Sequence, residues 1–364
     1  MAVTAEGLVP VTGPDDWLTA LGGEFSSHVD EFVAARCAEQ FGGRAEGVLA
    51  ATALPEFVRG GKFLRPMFAY AGWCCGAPED DAAIRAVASL ELLHCFALAQ
   101  DDVMDASARR RGRPALHTQF AHWHRDRGWS GSPARFGESA ATLCGDLLLV
   151  WSEQMLRESG LPAETLSRGW PRYDAMRSEL ATGQLADLVN DARNQPSWGS
   201  VLDVLRRKSG NYTVRRPLEL GAALAGCDAR VSRALTGYGG LVGEAFQFRD
   251  DVLGVFGDPA VTGKPAGQDL RDRKASSVVA LAVTIAGPIL GRELQRLLDR
   301  EVVDDDTVAA LRDAIAASGA PDQLEKLIDK QVRAALEAID DAGLPSRMSE
   351  TLAVLAARCT DRVR

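Results

Sequence analysis

The sequence holds seven cysteines, at positions 37, 74, 75, 95, 144, 227 and 359, yet no CxxC pair. No zinc spacing follows from those positions, and several fall in apolar helical runs, where a free thiol behaves as a small hydrophobe. That usage suits a reducing compartment. A basic excess is also missing, since 41 Lys and Arg stand against 50 Asp and Glu, a net charge of −9. Binding dominated by phosphate backbones needs net basic surface, so the charge argues against a nucleic-acid partner. The opening MAVTAEGLVPVTGPDDW has neither a basic n-region nor an apolar h-region, so no signal peptide is expected there. No uninterrupted apolar run reaches membrane-spanning length. The expected location is therefore cytoplasmic, with no membrane span.

Strand-like alternation of useful length is absent as well, which leaves helical periodicity as the one regular signal. At 364 residues and 46% hydrophobic content, the chain can bury a large core. No linker separates two cores. The reading is all-α: a flexible lead over residues 1–15, then a single domain over 16–364.

The helical pattern runs from Trp17 to Leu54, and Pro55 marks a break or the opening of the next helix. Residues 123–136 are polar and Gly-rich and read as a loop. Residues 140–156 read as a buried helix, apolar on most faces, in which Asp146 is an acid in need of a partner. Gly183, inside the helix of residues 176–191, marks close approach of another element. Pro217 is expected to kink the helix of residues 202–225. Downstream of Ser277, breaks fall at Gly287-Pro288, Ser318-Gly319 and Gly343-Leu344-Pro345.

The chemistry concentrates in residues 91–114, ELLHCFALAQDDVMDASARRRGRP. Leu92, Phe96 and Ala99 recur at helical spacing, and that apolar face runs into Asp101, Asp102 and Asp105. Asp101 and Asp105 share one helix face, their Cβ atoms about 6 Å apart. Like charges at that spacing repel, and a bound cation reverses the sign. Carboxylates without His or Cys nearby suit a hard, oxygen-seeking ion such as Mg2+, which shares itself between waters and substrate phosphates. The Arg110-Arg111-Gly112-Arg113-Pro114 turn can grip those phosphates by paired hydrogen bonds. Alone, a DDxxD on a helix is more often a solvated acidic face than a metal site, and RRRGRP alone could be a nucleic-acid patch.

A second half lies far downstream. Another apolar helix, residues 237–255, ends in FQFRDDVLG, with Asp250 and Asp251. Two such helix ends facing each other across a bundle can hold divalent ions above an apolar cleft. Clusters of that kind clamp a diphosphate leaving group, and the cleft shields a carbocation from water. Upstream, Gly60-Gly61-Lys62 before a helix can turn backbone N–H groups toward an anion, with Lys62 and Arg65 to one side.

In order along the chain, GGKFLRP, ELLHCFALAQDDVMD, RRRGRP, TGQ, KSGNYT, FQFRDDVLGVFGDP and TGKPAGQDLRDRK resemble the trans-isoprenyl diphosphate synthases (polyprenyl synthetase family), of the geranylgeranyl diphosphate synthase type found in actinobacteria. The resemblance covers residues 55–280 and implies a bundle of antiparallel helices around a central apolar cleft. It implies Mg2+, three ions, held by Asp101, Asp102, Asp105, Asp250 and Asp251. It places Arg110, Lys208, Ser209 and Lys264 on the allylic diphosphate, with Lys274 closing over it. Lys62, Arg65, His94 and Arg111 would hold isopentenyl diphosphate, and Gln184 and Gln247 would line the pocket near the reacting carbons. Phe96 and Ala97, five and four residues before Asp101, would form the floor of the elongation tunnel. The implied reaction joins isopentenyl diphosphate to dimethylallyl, geranyl or farnesyl diphosphate, and the floor favours geranylgeranyl diphosphate. Family members usually act as homodimers.

Several positions depart from the family pattern. Gly254 stands where many relatives have the last Asp of the second motif, with Asp258 nearby. Gln100, Asn211, Arg215 and Arg273 replace a common His, Lys, Glu and Gly. Alternatives therefore stay open: a farnesyl or longer-chain synthase, a cyclase-like relative, or a non-catalytic regulatory subunit. No (N/D)DxxSxxxE cyclase motif is present, and both Asp motifs persist.

Overall fold

A computed structural model describes residues 13–193, 197–258 and 267–361. The described chain is almost wholly helical, as the all-α reading expected. It comprises α1 (Pro14–Phe41), a 3₁₀ turn (Ala45–Gly47), α2 (Val48–Val58), α3 (Leu64–Cys74) and α4 (Asp81–Met104). The two-residue strands β1 (Arg109–Arg110) and β2 (Arg113–Pro114) pair antiparallel across the RRRGRP turn. Then follow α5 (Leu116–Asp126), α6 (Pro133–Arg157), α7 (Ala163–Ala192), α8 (Trp198–Val204), a π-helical segment (Leu205–Arg215), α9 (Arg216–Ala225) and α10 (Ala229–Phe256). The C-terminal part holds α11 (Gln268–Arg271), α12 (Ser277–Ile285), α13 (Pro288–Leu298), α14 (Asp305–Ala317), α15 (Ala320–Asp340) and α16 (Ser346–Thr360).

The central helix is α4. Asp80 caps it, its carboxylate accepting from the Ala83 N–H at 2.9 Å. Leu90, Leu92 and Leu93 are fully buried, so the helix is enclosed on nearly every side before it emerges at Asp101. By length and composition α4 alone among the described helices could cross a membrane, although Arg85 and Glu91 interrupt it, so no uninterrupted apolar run of spanning length is present. Yet 67% of its apolar window is buried within the protein, as in a core helix. One core cluster gathers around α4 from α1, α3, α6, α7, α9 and α16. A second joins the last turns of α10 to α12–α15. The helix α10 belongs to both: Tyr238 and Val242 pack in the first, Val252 and Val255 in the second.

Glycines set the closest crossings. A Cβ at Gly221 would lie 1.8 Å from the Ala69 carbonyl oxygen, so α9 rests backbone-on-backbone against α3. One at Gly183 would lie 2.6 Å from the Lys208 nitrogen, the close approach expected of that residue. One at Gly243 would lie 2.4 Å from the Gly210 carbonyl oxygen, so α10 crosses the KSGNYT segment without intervening side chains.

Several local readings are corrected. Pro55 lies inside α2. Residues 123–136 are largely helical: α5 runs to Asp126, and Ser132 and Pro133 open α6. Within α6, Leu143 is 64% and Val150 61% exposed, so this helix is not buried on most faces. Asp146 is exposed, and its partner is the Gln100 amide at 3.2 Å. Pro217 opens α9, and the chain before it widens into π turns rather than a simple kink. The downstream breaks fall between helices as expected, with one further break after Leu298. Residues 1–12 of the expected lead lie outside the described residues, and α1 already begins at Pro14.

Candidate active site

Asp101 and Asp105 close the last turn of α4, with their carboxylates toward α7, the π segment and the stretch after α11. Lys208 Nζ donates to Asp101 Oδ1 at 3.2 Å and also to Asp187 of α7. Lys274 Nζ donates to Asp105 Oδ2 at 2.9 Å. Gln184 Nε2 lies 3.4 Å from Asp101 Oδ1, and Arg110 Nη2 lies 3.5 Å from Asp101 Oδ2. Burial alone would raise the Asp101 pKa, but Lys208, Lys274 and Arg110 outweigh it and hold the carboxyl below its ordinary range. For Lys274 burial acts in the opposite sense, and its bond to Asp105 and the nearby Asp101 and Asp269 keep the ammonium above its usual value.

Asp102 faces elsewhere. It is 1% exposed, and Arg110 Nε donates to its Oδ1 at 2.9 Å. As folded it orients Arg110, whereas the resemblance grouped it with the metal ligands. On α10, Asp251 Oδ2 accepts from the backbone N–H of Ser277 at 2.7 Å and from its hydroxyl at 2.6 Å. Gln247 Nε2 donates to Asp251 Oδ1 at 2.7 Å, and the Ser209 hydroxyl donates to the Gln247 carbonyl oxygen. Burial pushes the Asp251 carboxyl up to about 6 against those bonds. Asp250, beside it, keeps partial exposure.

Three carboxylates absent from the sequence reading join the group. Asp187 holds Lys208, and Asp191 Oδ1 accepts from the Ala275 N–H at 3.4 Å. With Gln184 these fall on one face of α7 at i, i+3 and i+7, a spacing visible in TGQLADLVND. The third is Asp269. A Cβ built on Gly254 would lie 1.8 Å from Asp269 Oδ2, so a carboxylate reaches the place vacated in the second motif. All the donors are oxygens, and lysine ammonium groups already sit on Asp101 and Asp105. Oxygen donors of this kind are what a hard divalent cation takes, although among the described residues no three His, Cys, Asp or Glu side chains converge as a ready-made cage, so waters and substrate phosphates would complete the shell.

A second group gathers around Arg65, His94, Arg111 and Tyr212. Arg65 lies over the Tyr212 ring, 4.4 Å from its centroid, and donates from Nη2 to Thr213 Oγ1 at 2.8 Å. His94 stands 6.4 Å from the same ring, centroid to centroid. Arg111 Nη1 donates to the Arg59 carbonyl at 2.6 Å, and its Nη2 lies 3.5 Å from the buried Glu91. Arg65 Nε, His94 Nδ1 and Tyr212 Oη are buried without a hydrogen-bond partner. Burial, then the guanidinium groups of Arg65 and Arg111, hold His94 well below its ordinary pKa and therefore neutral. Lys62 is exposed at the rim. Phe96 and Ala97 are partly buried against the core, above the fully buried Leu93. Lys264 lies outside the described residues.

The four described non-glycine residues with positive φ all adjoin this region: Phe63 (50°), Ala106 (50°), Arg111 (50°) and Arg273 (53°). Left-handed backbone at non-glycine residues persists only where the surroundings over-determine it.

The Polyprenyl synthetase family profile matches residues 48–315. A (2E,6E)-farnesyl diphosphate synthase of Mycobacterium tuberculosis is 30% identical over 305 residues, covering 83% of this chain and 80% of that protein. A geranylgeranyl diphosphate synthase of the same organism is 32% identical over 289 residues, covering 78% and 75%. Among solved structures, a geranylgeranyl pyrophosphate synthase of Corynebacterium glutamicum, complexed with isoprenyl diphosphate and magnesium, superposes with a TM-score of 0.90 at 36% identity. That match covers 95% of this chain and 99% of the other.

Proposed function

Because this chain belongs to the polyprenyl synthetase family, we propose that it condenses isopentenyl diphosphate with an allylic diphosphate (dimethylallyl, geranyl or farnesyl) and releases mainly geranylgeranyl diphosphate. The observation that carries the reading is a pair of adjoining sites. Carboxylates already bound to lysine ammonium groups stand beside a partly buried Arg65–His94–Tyr212 group whose buried polar atoms lack partners. An anionic guest satisfies the second group, and a diphosphate with its counter-cations satisfies the first.

Mg2+, as three ions, would be held by Asp101, Asp105, Asp250 and Asp251, with Asp187 and Asp269 as further donors and Asp102 acting through Arg110. It would supply charge stabilisation to the departing diphosphate. Lys208, Arg110, Ser209, Lys264 and Lys274 bind that diphosphate; Lys62, Arg65, His94 and Arg111 bind isopentenyl diphosphate. Gln184 and Gln247 orient near the reacting carbons, and the apolar wall of α4 excludes water from the cation. Phe96 above Leu93 limits the tail. No side chain is assigned as base, since the released diphosphate can take the proton.

The whole unit from 16 to 364 acts as one domain in the cytoplasm. Exposed Leu143 and Val150 on α6, with Leu185, Leu188 and Val189 on α7, support pairing with a second copy.

Purified protein incubated with Mg2+, isopentenyl diphosphate and each allylic primer, with mass spectrometry of the dephosphorylated products, tests the assignment. Geranylgeraniol is the expected product, and Phe96→Ala is expected to extend it by at least one isoprene unit. Farnesol alone, or a longer alcohol from the unmodified protein, would overturn the assigned length. Primer consumed without isopentenyl incorporation would favour cyclase-like chemistry. The geometry at Gly254 yields a second expectation: Asp269→Asn raises the Mg2+ needed for half-maximal activity by about 10- to 100-fold. An unchanged Mg2+ titration would remove Asp269 from the metal group.

A further inference from the structure

We propose that Arg273 is a positioning residue, a latch that fixes the stretch between α11 and α12 so that Lys274 is held at Asp105. The inference rests on the reading of Lys274 as a diphosphate-binding residue and concerns a position where this chain departs from the family's usual glycine. The backbone at Arg273 is left-handed, with φ 53°. Glycine adopts that conformation freely, whereas an arginine stays there only when something else restrains it.

The restraint is the guanidinium itself. Arg273 Nη1 donates to the Leu298 carbonyl at 3.1 Å, and Nη2 donates to the Arg300 carbonyl. These oxygens lie at and just past the C-terminus of α13, where helical carbonyls lack partners of their own. Two residues upstream, Arg271 pairs with Asp305 in the first turn of α14. The outward cations of this stretch thus anchor it to the C-terminal helices.

The residues that follow point inward. Lys274 reaches Asp105, and its backbone N–H donates to the Asp269 carbonyl at 2.9 Å. The Ala275 N–H reaches Asp191, and Ser277 reaches Asp251. A glycine at 273 would relieve the backbone but leave this stretch free to sample other conformations. Arginine with its two carbonyl bonds narrows that sampling, so the ammonium of Lys274 stands in place before substrate arrives.

The test is a double-mutant cycle on the full chain, with dimethylallyl and isopentenyl diphosphates as substrates. Arg273→Ala retains the left-handed demand and loses the latch. Its kcat is expected to fall about tenfold, with KM for isopentenyl diphosphate unchanged. Arg273→Gly is expected to fall less, and Arg273→Lys to recover part of the loss, because one ammonium cannot span two carbonyls as the fork does. In a Lys274→Ala background, Arg273→Ala is expected to cause no further loss. An equal loss in that background, or no loss in the single variant, would overturn the latch. Full activity of Lys274→Ala would instead overturn the role given to Lys274, a separate outcome. Should Arg273→Ala fail to fold, Arg273→Gly carries the same cycle, since glycine accepts the backbone without strain.

Discussion

Asp101→Ala is expected to lower kcat by on the order of 10²–10³-fold or more, the scale of removing one preorganised electrostatic group from a reaction centre. Lys208, Gln184 and Arg110 converge on the two carboxylate oxygens of Asp101. The loss arises twice over, because the variant removes a donor for Mg2+ and frees Lys208 to pair with Asp187 alone. KM for isopentenyl diphosphate should change little, since Arg65, His94 and Arg111 belong to the other group. Asp101→Asn separates charge from shape and should fall nearly as far. Because the folded pKa of Asp101 is depressed, its pairing stabilises the protein at neutral pH, and that stability is lost as pH falls through the carboxylate range. The alanine variant should therefore show a weaker acid dependence of its melting temperature. Steady-state kinetics beside thermal melts at pH 7 and pH 4 would check both statements. Activity within a few-fold of the parent protein would remove Asp101 from the chemistry.

Gly243→Ala is expected to damage stability and catalysis together. The new methyl would lie 2.4 Å from the carbonyl oxygen and 2.6 Å from the carbonyl carbon of Gly210, backbone atoms with no rotamer to change. Separating α10 from the π segment costs about 1–3 kcal/mol as overpacking. The same displacement carries Ser209 away from Gln247 and Lys208 away from Asp101. A shift near 1 Å at such groups can cost about 10²-fold in rate. Differential scanning fluorimetry and kcat on one preparation would measure both effects. A variant with parental melting temperature and parental kcat would show that the crossing has slack which the structure does not display.

Much of this arrangement is legible in the sequence where local chemistry decides. The Gly-Pro and Ser-Gly breaks of the C-terminal part lie between helices because Gly287 and Gly319 each stand at a helix N-cap, with Pro288 in the first turn that follows Gly287. The two Asp-rich ends lie at the ends of apolar helices, as their periodicity requires. The segment 123–136 misled because its glycines and charges outweighed a start signal that was present: Ser132 caps α6 and Pro133 takes its first turn. Trp123, Trp129 and Phe136 then pack on one another, with ring centroids 4.7 to 6.1 Å apart, a tertiary fact with no local signature.

The site divides in the same way. Asp187 and Asp191 were within reach of sequence reasoning, because both share a helix face with Gln184. Asp102 was not separable from Asp101 by residue type. Only the fold shows that one carboxylate turns to Arg110 while its neighbour turns to Lys208. Nor could Gly254 disclose that a carboxylate from another helix fills its missing place, since Asp269 arrives there through a tertiary approach. Arg273 is a departure whose meaning depends on carbonyls contributed by α13, far from it in the chain.

Incorporation of labelled isopentenyl diphosphate into a dimethylallyl primer, followed while EDTA and then excess Mg2+ are added, tests the central claim most directly. The predicted result is label in an acid-labile C20 product, abolished by EDTA, restored by Mg2+ and missing from Asp101→Ala. Incorporation that persists in EDTA, or that survives the loss of Asp101, would contradict a metal-clamped condensation between the two Asp-rich helix ends.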